Sequence, residues 1–228
     1  MKKSICSLLF ILTVVSISYT QVPVPVFEDK IPSPVFERDL SNFVKNSTVM
    51  IRYKYEVNKY SVGSGSVVLP QRKDGRWYIL TANHCTSKID SPIEIVFDNK
   101  SVIKGKVVAK DSHHDIAWVI TDEKDLKLKG AELGDSLPKQ SQKVCFFGYG
   151  GKSFRKGKVN NQYLISEDNL VWYDFPAISG DSGCGIFCES SKKIMGVLSC
   201  GTKQHTGAGN IIAARNLKFL LEKKIKDE

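Results

Sequence analysis

The chain has 228 residues, of which 42% are hydrophobic and 25% are charged, and its formal net charge at pH 7 is +9. That length and composition suffice for one compact unit with a sizeable core, or for two small subdomains that share an interface. They exclude an intrinsically disordered protein. The lysines are scattered along the chain, so a solvated basic surface explains the charge and we expect no nucleic-acid partner.

The first twenty residues are typical of a secretory signal peptide. Lys2 and Lys3 give a positive start, the run Ile5–Ile17 is apolar, and small residues precede Gln21 as the new N-terminus. The run is too short to span a bilayer comfortably, although a retained anchor is the alternative. We predict that residues 1–20 are removed and that the protein is secreted or periplasmic, without a stable membrane span.

Residues 21–45 form a proline-rich N-terminal segment with a near-duplication, Pro25–Asp29 and Pro34–Arg38. Two copies do not make a repeat protein. A tether, a pro-segment and an extended strap across the domain all fit this composition, and the sequence does not choose among them.

From residue 46 onward, short apolar or alternating runs separated by turn residues predict strands. The predicted strands are Thr48–Tyr55, Gly65–Leu69, Trp77–Thr81, Ile93–Phe97, Val102–Ala109, Ile116–Thr121, Lys143–Phe147, Lys158–Ile165, Leu170–Phe175, Gly185–Cys188, Ile194–Ser199 and Asn210–Ala213. Asp74-Gly75 predicts a hairpin turn between two of them. The charged stretch from Thr121 to Gly130 looks like a connection between two halves, residues 46–130 and 131–228. Only Asn216–Lys226 has helical spacing, so we predict an all-β protein of barrels with one terminal helix.

Gly180-Asp181-Ser182-Gly183 is the first motif that suggests chemistry. Its glycines permit a tight turn and a close approach of a substrate carbonyl. In such a turn the amides of Gly180 and Ser182 can point together at a developing oxyanion. Taken alone, the tetrapeptide could also be an ordinary polar turn.

His84 and Asp115 complete a second and a third motif, Thr81–Cys85 and Asp115–Val119. His84 follows an apolar strand, at the point where a buried core ends and a cleft begins. A serine hydroxyl is a poor nucleophile until a nearby imidazole accepts its proton. Asp115 begins another apolar strand, which suits an acceptor for the second N–H of the imidazole. Separately, these residues could be a loop histidine and a strand cap.

In the order His, Asp, Ser, the three motifs resemble the chymotrypsin-like (trypsin-like) serine protease superfamily. The matching pieces are Gly63–Val68, Thr81–Cys85, Asp115–Ala117, Gly148–Gly150, Gly180–Gly183 and Gly196–Gly201. Tyr173–Ile178 and Gly207–Ile212 are similar to the compact bacterial branch of Deg-type proteases and glutamyl endopeptidases. The resemblance implies two six-stranded antiparallel Greek-key barrels, a C-terminal helix, and an active site in the cleft between the barrels. It implies a triad of His84, Asp115 and Ser182, an oxyanion hole of the Gly180 and Ser182 amides, and no metal or organic cofactor.

The resemblance also implies where the substrate would bind. Pro176 falls at the base of the primary pocket, where trypsin-like members place an aspartate, so a preference for Arg or Lys is not expected. Ser199, Cys200 and Gly201 would form the strand that pairs with the substrate backbone. His205 either lines the pocket entrance and favours an acidic side chain, or is a surface loop residue.

The sequence departs from the family pattern in two ways: no Ile-Val-Gly-Gly type activation sequence accompanies Asp181, which occupies the place of the acid before the serine, and Cys85 lacks its usual partner near Gly63. In the digestive branch the acid before the serine pairs with a new N-terminal amine. Here we expect Asp181 to pair internally, the alternative being an amine released by a cut near Arg38 or Lys45. Cys145 and Cys188 match a family bridge between two strands of the second barrel, so the resemblance implies that disulfide.

The leading interpretation is therefore an exported serine endopeptidase that acts on proteins or peptides through an acyl-enzyme. The alternative is a catalytically silent homologue that serves as a binding module.

Overall fold

The computed structural model describes residues 34–56, 59–160, 170–201 and 204–226, so the predicted signal peptide lies outside the described residues. Within them, the elements in chain order are α1 (Pro34–Asn46), β1 (Thr48–Glu56), β2 (Lys59–Val68), β3 (Tyr78–Thr81), a 3₁₀ turn (Asn83–Cys85), β4 (Pro92–Val96), β5 (Val102–Asp111), β6 (Ile116–Thr121), β7 (Lys143–Gly148), β8 (Ser153–Lys158), β9 (Leu170–Tyr173), β10 (Gly185–Cys188), β11 (Ile194–Gly201), β12 (Thr206–Asn210) and α2 (Ile211–Lys226).

The first six strands close into an antiparallel barrel in the order β1-β2-β3-β6-β5-β4. Alternate residues of these strands point inward, because successive side chains of a strand lie on opposite faces. Its core contains buried β-branched residues such as Ile51, Val67, Ile79, Ile95 and Val119. The turn predicted at Asp74-Gly75, between β2 and β3, is confirmed. Gly75 has a φ of 82° there, and its amide donates a hydrogen bond to the carbonyl of Arg72.

The other six strands form a second antiparallel sheet in the order β8-β7-β10-β11-β12-β9. A bridge between Val159 and Tyr173 joins its two edges, so the sheet curls into a barrel-like shape around Phe146, Ile186 and Leu198. The predicted class, all-β with two six-stranded antiparallel barrels and a C-terminal helix, is confirmed. The predicted boundary at residue 130 falls between the two sets of strands.

Helix α1 was not predicted. Its Leu40 and Val44 are four residues apart, lie on one helical face and are fully buried among residues of both sheets. Phe43 packs edge-on against Phe187 of β10, with ring centroids 6.3 Å apart. An extended strap is therefore wrong for residues 34–45, because an amphipathic helix fills this part of the core.

Helix α2 packs on the first barrel, where Trp118 Nε1 donates a hydrogen bond to the carbonyl of Ala214 at 3.1 Å. The predicted strand Asn210–Ala213 is wrong, because Asn210 ends β12 and caps α2 by accepting from the amide of Ile212 at 2.8 Å. Neither described helix is both long and apolar enough to cross a membrane.

The strands β8 and β12 also differ from prediction. Strand β8 covers Ser153–Lys158, whereas the predicted strand was Lys158–Ile165, most of which lies outside the described residues. Strand β12 was missed because its sequence, Thr-Gly-Ala-Gly-Asn, has little intrinsic strand preference. It is a strand because it pairs with β11 on one side and β9 on the other.

Candidate active site

His84 and Asp115 meet at one end of the first barrel. Thr81 of β3 pairs with Ala117 of β6, so the residues just after β3 and just before β6 lie side by side. His84 Nδ1 lies 2.7 Å from Asp115 Oδ2, and the His84 amide donates to Asp115 Oδ1 at 3.0 Å. Asp115 has a φ of 51°, and its carbonyl accepts from the amide of Asn83 at 3.1 Å. The two predicted residues are therefore joined by two hydrogen bonds.

The charges of this pair are coupled. Burial opposes ionisation of Asp115, but hydrogen bonds from His84 and Ser199 outweigh burial, and the pKa of the carboxyl is lowered. The bond to Asp115, with a further contribution from Cys85, raises the pKa of His84 above its ordinary value of 6.5. The Asp115 carboxylate thus stabilises a positive imidazole.

The loop that carries Ser182 lies against the same end of the first barrel. Gly180 and Gly183 have φ values of 91° and 89°, which permit the tight turn around the serine. A Cβ on Gly183 would collide with the carbonyl of Ser64 and the hydroxyl of Thr81. The Ser182 carbonyl accepts from the amide of Ser64 at 2.7 Å. Ser182 is therefore held within the cleft between the two sheets.

Ser199 connects the loop that carries Ser182 to the His84–Asp115 pair. Its hydroxyl donates to Asp115 Oδ2 at 2.5 Å, and its carbonyl accepts from the hydroxyl of Ser182 at 3.4 Å. In this structure the Ser182 hydroxyl therefore points to Ser199 rather than to His84. The sequence had suggested only that the backbone of Ser199 binds substrate. The structure shows that the side chain of Ser199 also contacts Asp115.

The amides of Gly180 and Ser182 belong to the tight turn that carries the serine. Neither donates a hydrogen bond to any group within the described residues. The carbonyl of Gly180 accepts from the hydroxyl of Ser64 at 2.8 Å, and the amide of Asp181 on the other side of that peptide unit donates to the carbonyl of Ile178 at 3.1 Å. Two unsatisfied amides on one tight turn are suited to bind an anionic oxygen.

The predicted substrate-binding residues lie around this loop. Strand β11 pairs with β10 only as far as Val197 and continues beyond it to Gly201, with Cys200 exposed. Pro176 is exposed at the loop that leads to Gly180. His205 is half-buried, with its Nδ1 3.3 Å from Asp174 Oδ1. Sequence reasoning missed Asp174, which gives His205 an acidic neighbour.

The disulfide between Cys145 and Cys188 is wrong. Cys145 lies opposite Phe187 and Cys188 lies opposite Val144 in the pairing of β7 with β10, so the two thiols are on opposite faces of the sheet. A bridge would require the backbone to move. The Cys188 sulfur instead accepts a hydrogen bond from the side chain of Gln142 at 3.0 Å.

Among the described residues, no group of three or more histidine, cysteine or acidic side chains is arranged to hold a metal ion.

The sequence matches the trypsin-like peptidase domain family over residues 63–197, which is more than half of the chain. Over 81 residues it is 36% identical to the serine protease Do-like HtrA of Lactobacillus helveticus, a match that covers 36% of this chain and 19% of that relative. A crystal structure of the serine endoprotease from Yersinia pestis has a similar fold, with a TM-score of 0.67 and 18% identity, covering 84% of this chain and 68% of the other. The resemblance to chymotrypsin-like proteases of the Deg type is confirmed.

Proposed function

Because the chain belongs to the trypsin-like peptidase domain family, we propose that it is an exported serine endopeptidase that hydrolyses peptide bonds through an acyl-enzyme. The observation that carries this proposal is the pair of hydrogen bonds between His84 and Asp115 beside the Ser182 loop. His84 and Asp115 lie in the half formed by residues 46–130, and Ser182 lies in the half formed by residues 131–228.

In the proposed first step, Ser182 attacks the carbonyl carbon of the scissile bond and His84 takes its proton. The hydroxyl first turns from the carbonyl of Ser199 toward His84, and the 3.4 Å bond that it gives up is long and weak. Asp115 Oδ2 accepts a hydrogen bond from the Nδ1–H group of His84, so the neutral imidazole has its lone pair on Nε2, where the base must act.

The negative oxygen of the tetrahedral intermediate would accept from the amides of Gly180 and Ser182. Such donors stabilise the transition state by about 3 kcal/mol each in proteases of this kind. The protonated His84 then gives its proton to the leaving amine, the C–N bond breaks, and the acyl group stays on Ser182. His84 next takes a proton from water, whose oxygen attacks the carbonyl carbon of this ester. The bond between that carbon and Ser182 Oγ then breaks, His84 returns the proton to Oγ, and the acid is released.

The substrate backbone would add to the edge of β11 at Ser199, Cys200 and Gly201, because this part of the strand extends beyond β10. Pro176 at the pocket offers no negative charge to a basic side chain, so Arg or Lys before the cut should not be favoured. A cleavage profile on a mixed peptide library measures which residues are preferred before the cut. It also tests whether His205 favours an acidic residue there.

Reaction with a fluorophosphonate probe tests the proposed function. The wild type should be labelled on Ser182 and should cleave peptides, whereas Ser182→Ala should lose labelling and about 10⁴- to 10⁶-fold in turnover while remaining folded. Ser87→Ala, at an exposed position outside the site, is the matched control and should retain both properties. A folded wild-type protein that is neither labelled nor active would instead indicate a silent binding module.

A further inference from the structure

Ser64 lies on β2, where the first barrel meets the second sheet, and it has no solvent exposure. Its hydroxyl donates a hydrogen bond to the carbonyl of Gly180 at 2.8 Å and accepts one from the amide of Tyr149 at 3.0 Å. Gly180 belongs to the loop that carries Ser182, and Tyr149 belongs to the segment that follows β7. One buried hydroxyl of the first barrel therefore links two separate segments of the second half of the chain.

The backbone of Ser64 joins the same loop to the strand that leads to His84. Its amide donates to the carbonyl of Ser182 at 2.7 Å, and its carbonyl accepts from the hydroxyl of Thr81 at 2.6 Å. Thr81 ends β3, just before the 3₁₀ turn that contains His84. Ser64 thus contacts the serine across the cleft and, through Thr81, the strand that positions the histidine.

The contact at Ser64 spans the cleft, unlike the ion pair of the same loop. Asp181 pairs with Arg155 of β8, so that ion pair lies within the second half of the chain. Gly183 packs so closely on β2 that a Cβ there would collide with the carbonyl of Ser64. The position of the loop relative to the first barrel therefore depends on how Ser64 is held.

The alignment of the two sheets matters because Ser182 and His84 lie on different ones. Proton transfer requires the hydroxyl and the imidazole to come within hydrogen-bond reach of each other. A misplacement of about 1 Å can lower a rate by about 10²-fold. From these contacts we propose that Ser64 is a positioning residue, whose hydroxyl sets the spacing of the two sheets at the cleft so that Ser182 comes within reach of His84. This inference rests on the proposed peptidase activity.

The test compares the full wild-type chain with Ser64→Ala, Ser64→Cys and the control Ser66→Ala. In Ser64→Ala the amide of Tyr149 and the carbonyl of Gly180 lose a buried partner. We expect its kcat to fall by about 10- to 100-fold, while KM stays within about threefold of the wild type. Ser64→Cys replaces the hydroxyl by a larger thiol that is a weak donor and acceptor, so its kcat should lie between those of the wild type and Ser64→Ala.

Ser66 is a matched control because it lies on the same face of β2 as Ser64 and is also fully buried. Its hydroxyl likewise accepts from an amide of the second sheet, that of Gly185 at 2.8 Å, but Gly185 begins β10 and lies outside the Gly180–Gly183 turn. Ser66→Ala should lower Tm, as Ser64→Ala does, because each leaves a buried backbone group without a partner. Its kcat should stay within about threefold of the wild type.

The pH dependence separates a displaced serine from a damaged base. The hydrogen bonds between His84 and Asp115 lie within the first barrel. In Ser64→Ala the midpoint of kcat/KM against pH should therefore stay within about 0.5 pH unit of the wild type, although kcat falls. A larger movement of the midpoint would show that the substitution acts on the His84–Asp115 pair, and would contradict the proposal.

A kcat of Ser64→Ala within about threefold of an active wild type would overturn the role of Ser64. So would an equal loss of kcat in Ser66→Ala, or a loss in Ser64→Ala that is expressed in KM rather than in kcat. If circular dichroism shows that Ser64→Ala does not fold, Ser64→Cys decides: a wild-type kcat refutes the role, whereas a lower kcat with unchanged KM supports it. A folded but inactive wild type contradicts the proposed function itself and not the role of Ser64.

Discussion

Asp115→Asn is the substitution whose effect follows most directly from the contacts of the site. Asp115 accepts three hydrogen bonds: from the amide of His84 at Oδ1, and from His84 Nδ1 and the hydroxyl of Ser199 at Oδ2. An asparagine has one oxygen and one NH₂ group, and all three partners are donors. Either orientation of the amide therefore places NH₂ against at least one N–H or O–H group.

The size of the effect can be worked out from these bonds. Hydrogen bonds to an ionised group contribute about 1.5–3 kcal/mol and neutral ones about 1 kcal/mol. One bond is lost and two become neutral, so the pair loses about 2.5–7 kcal/mol of the stabilisation that holds His84 in its reactive tautomer and stabilises its positive charge during proton transfer. Since 1.36 kcal/mol corresponds to tenfold in rate, we expect kcat/KM to fall by about 10²- to 10⁵-fold.

The assay is peptide hydrolysis at pH 8, with active sites counted by a fluorophosphonate. Asp111→Asn is the matched control, because Asp111 Oδ2 lies 2.7 Å from His114 Nδ1 and Oδ1 accepts from two backbone amides, but outside the proposed site. It should lose less than tenfold. Asp115→Asn within tenfold of the wild type, or an equal loss in Asp111→Asn, would refute the reasoning.

Two further predictions concern pH and stability. Asp115 raises the pKa of His84, so the neutral imidazole that acts as the base is depleted at low pH. We therefore expect kcat/KM of the wild type to rise with pH through a midpoint above 6.5. A wild-type midpoint at or below 6.5, or a midpoint in Asp115→Asn that is no lower than that of the wild type, would contradict this prediction. Leu40→Ala should destabilise the chain by about 2–4 kcal/mol, which lowers Tm by roughly 5–15 °C, because it leaves a cavity between α1 and both sheets. The exposed Val35→Ala should change stability by less than about 0.5 kcal/mol, and equal thermal melts for the two variants would show that α1 does not support the core.

The sequence led to the residues of the proposed site because each of them adjoins a recognisable element. His84 follows the apolar strand β3, Asp115 precedes the apolar strand β6, and Ser182 stands between two glycines with positive φ. Strand alternation predicted most of both sheets. What could not be predicted was how these separate elements meet: the side-chain bond of Ser199 to Asp115 and the pairing of Arg155 with Asp181 join residues distant in the chain.

Two errors have a common physical origin. The apolar face of α1 is short and the helix begins at a proline, and its buried Leu40 and Val44 pack against residues of both sheets. The predicted bridge from Cys145 to Cys188 failed because a shift of one residue in the pairing of two strands moves a side chain to the opposite face. Both the packing of a helix and the register of a strand pair depend on neighbours that a single sequence does not reveal.

The division of the proposed triad between two sheets has a consequence for the protein as it is made. A chain synthesised as far as β6 contains His84 and Asp115 but not Ser182. A chain that ends just after Ser182 lacks Ser199, which contacts both Ser182 and Asp115. Helix α2, which packs on the first barrel through Ala214, follows later still. If the proposed activity is correct, an unfinished chain is harmless to its neighbours, and the ability to cut appears only when nearly all of the described chain has emerged and folded.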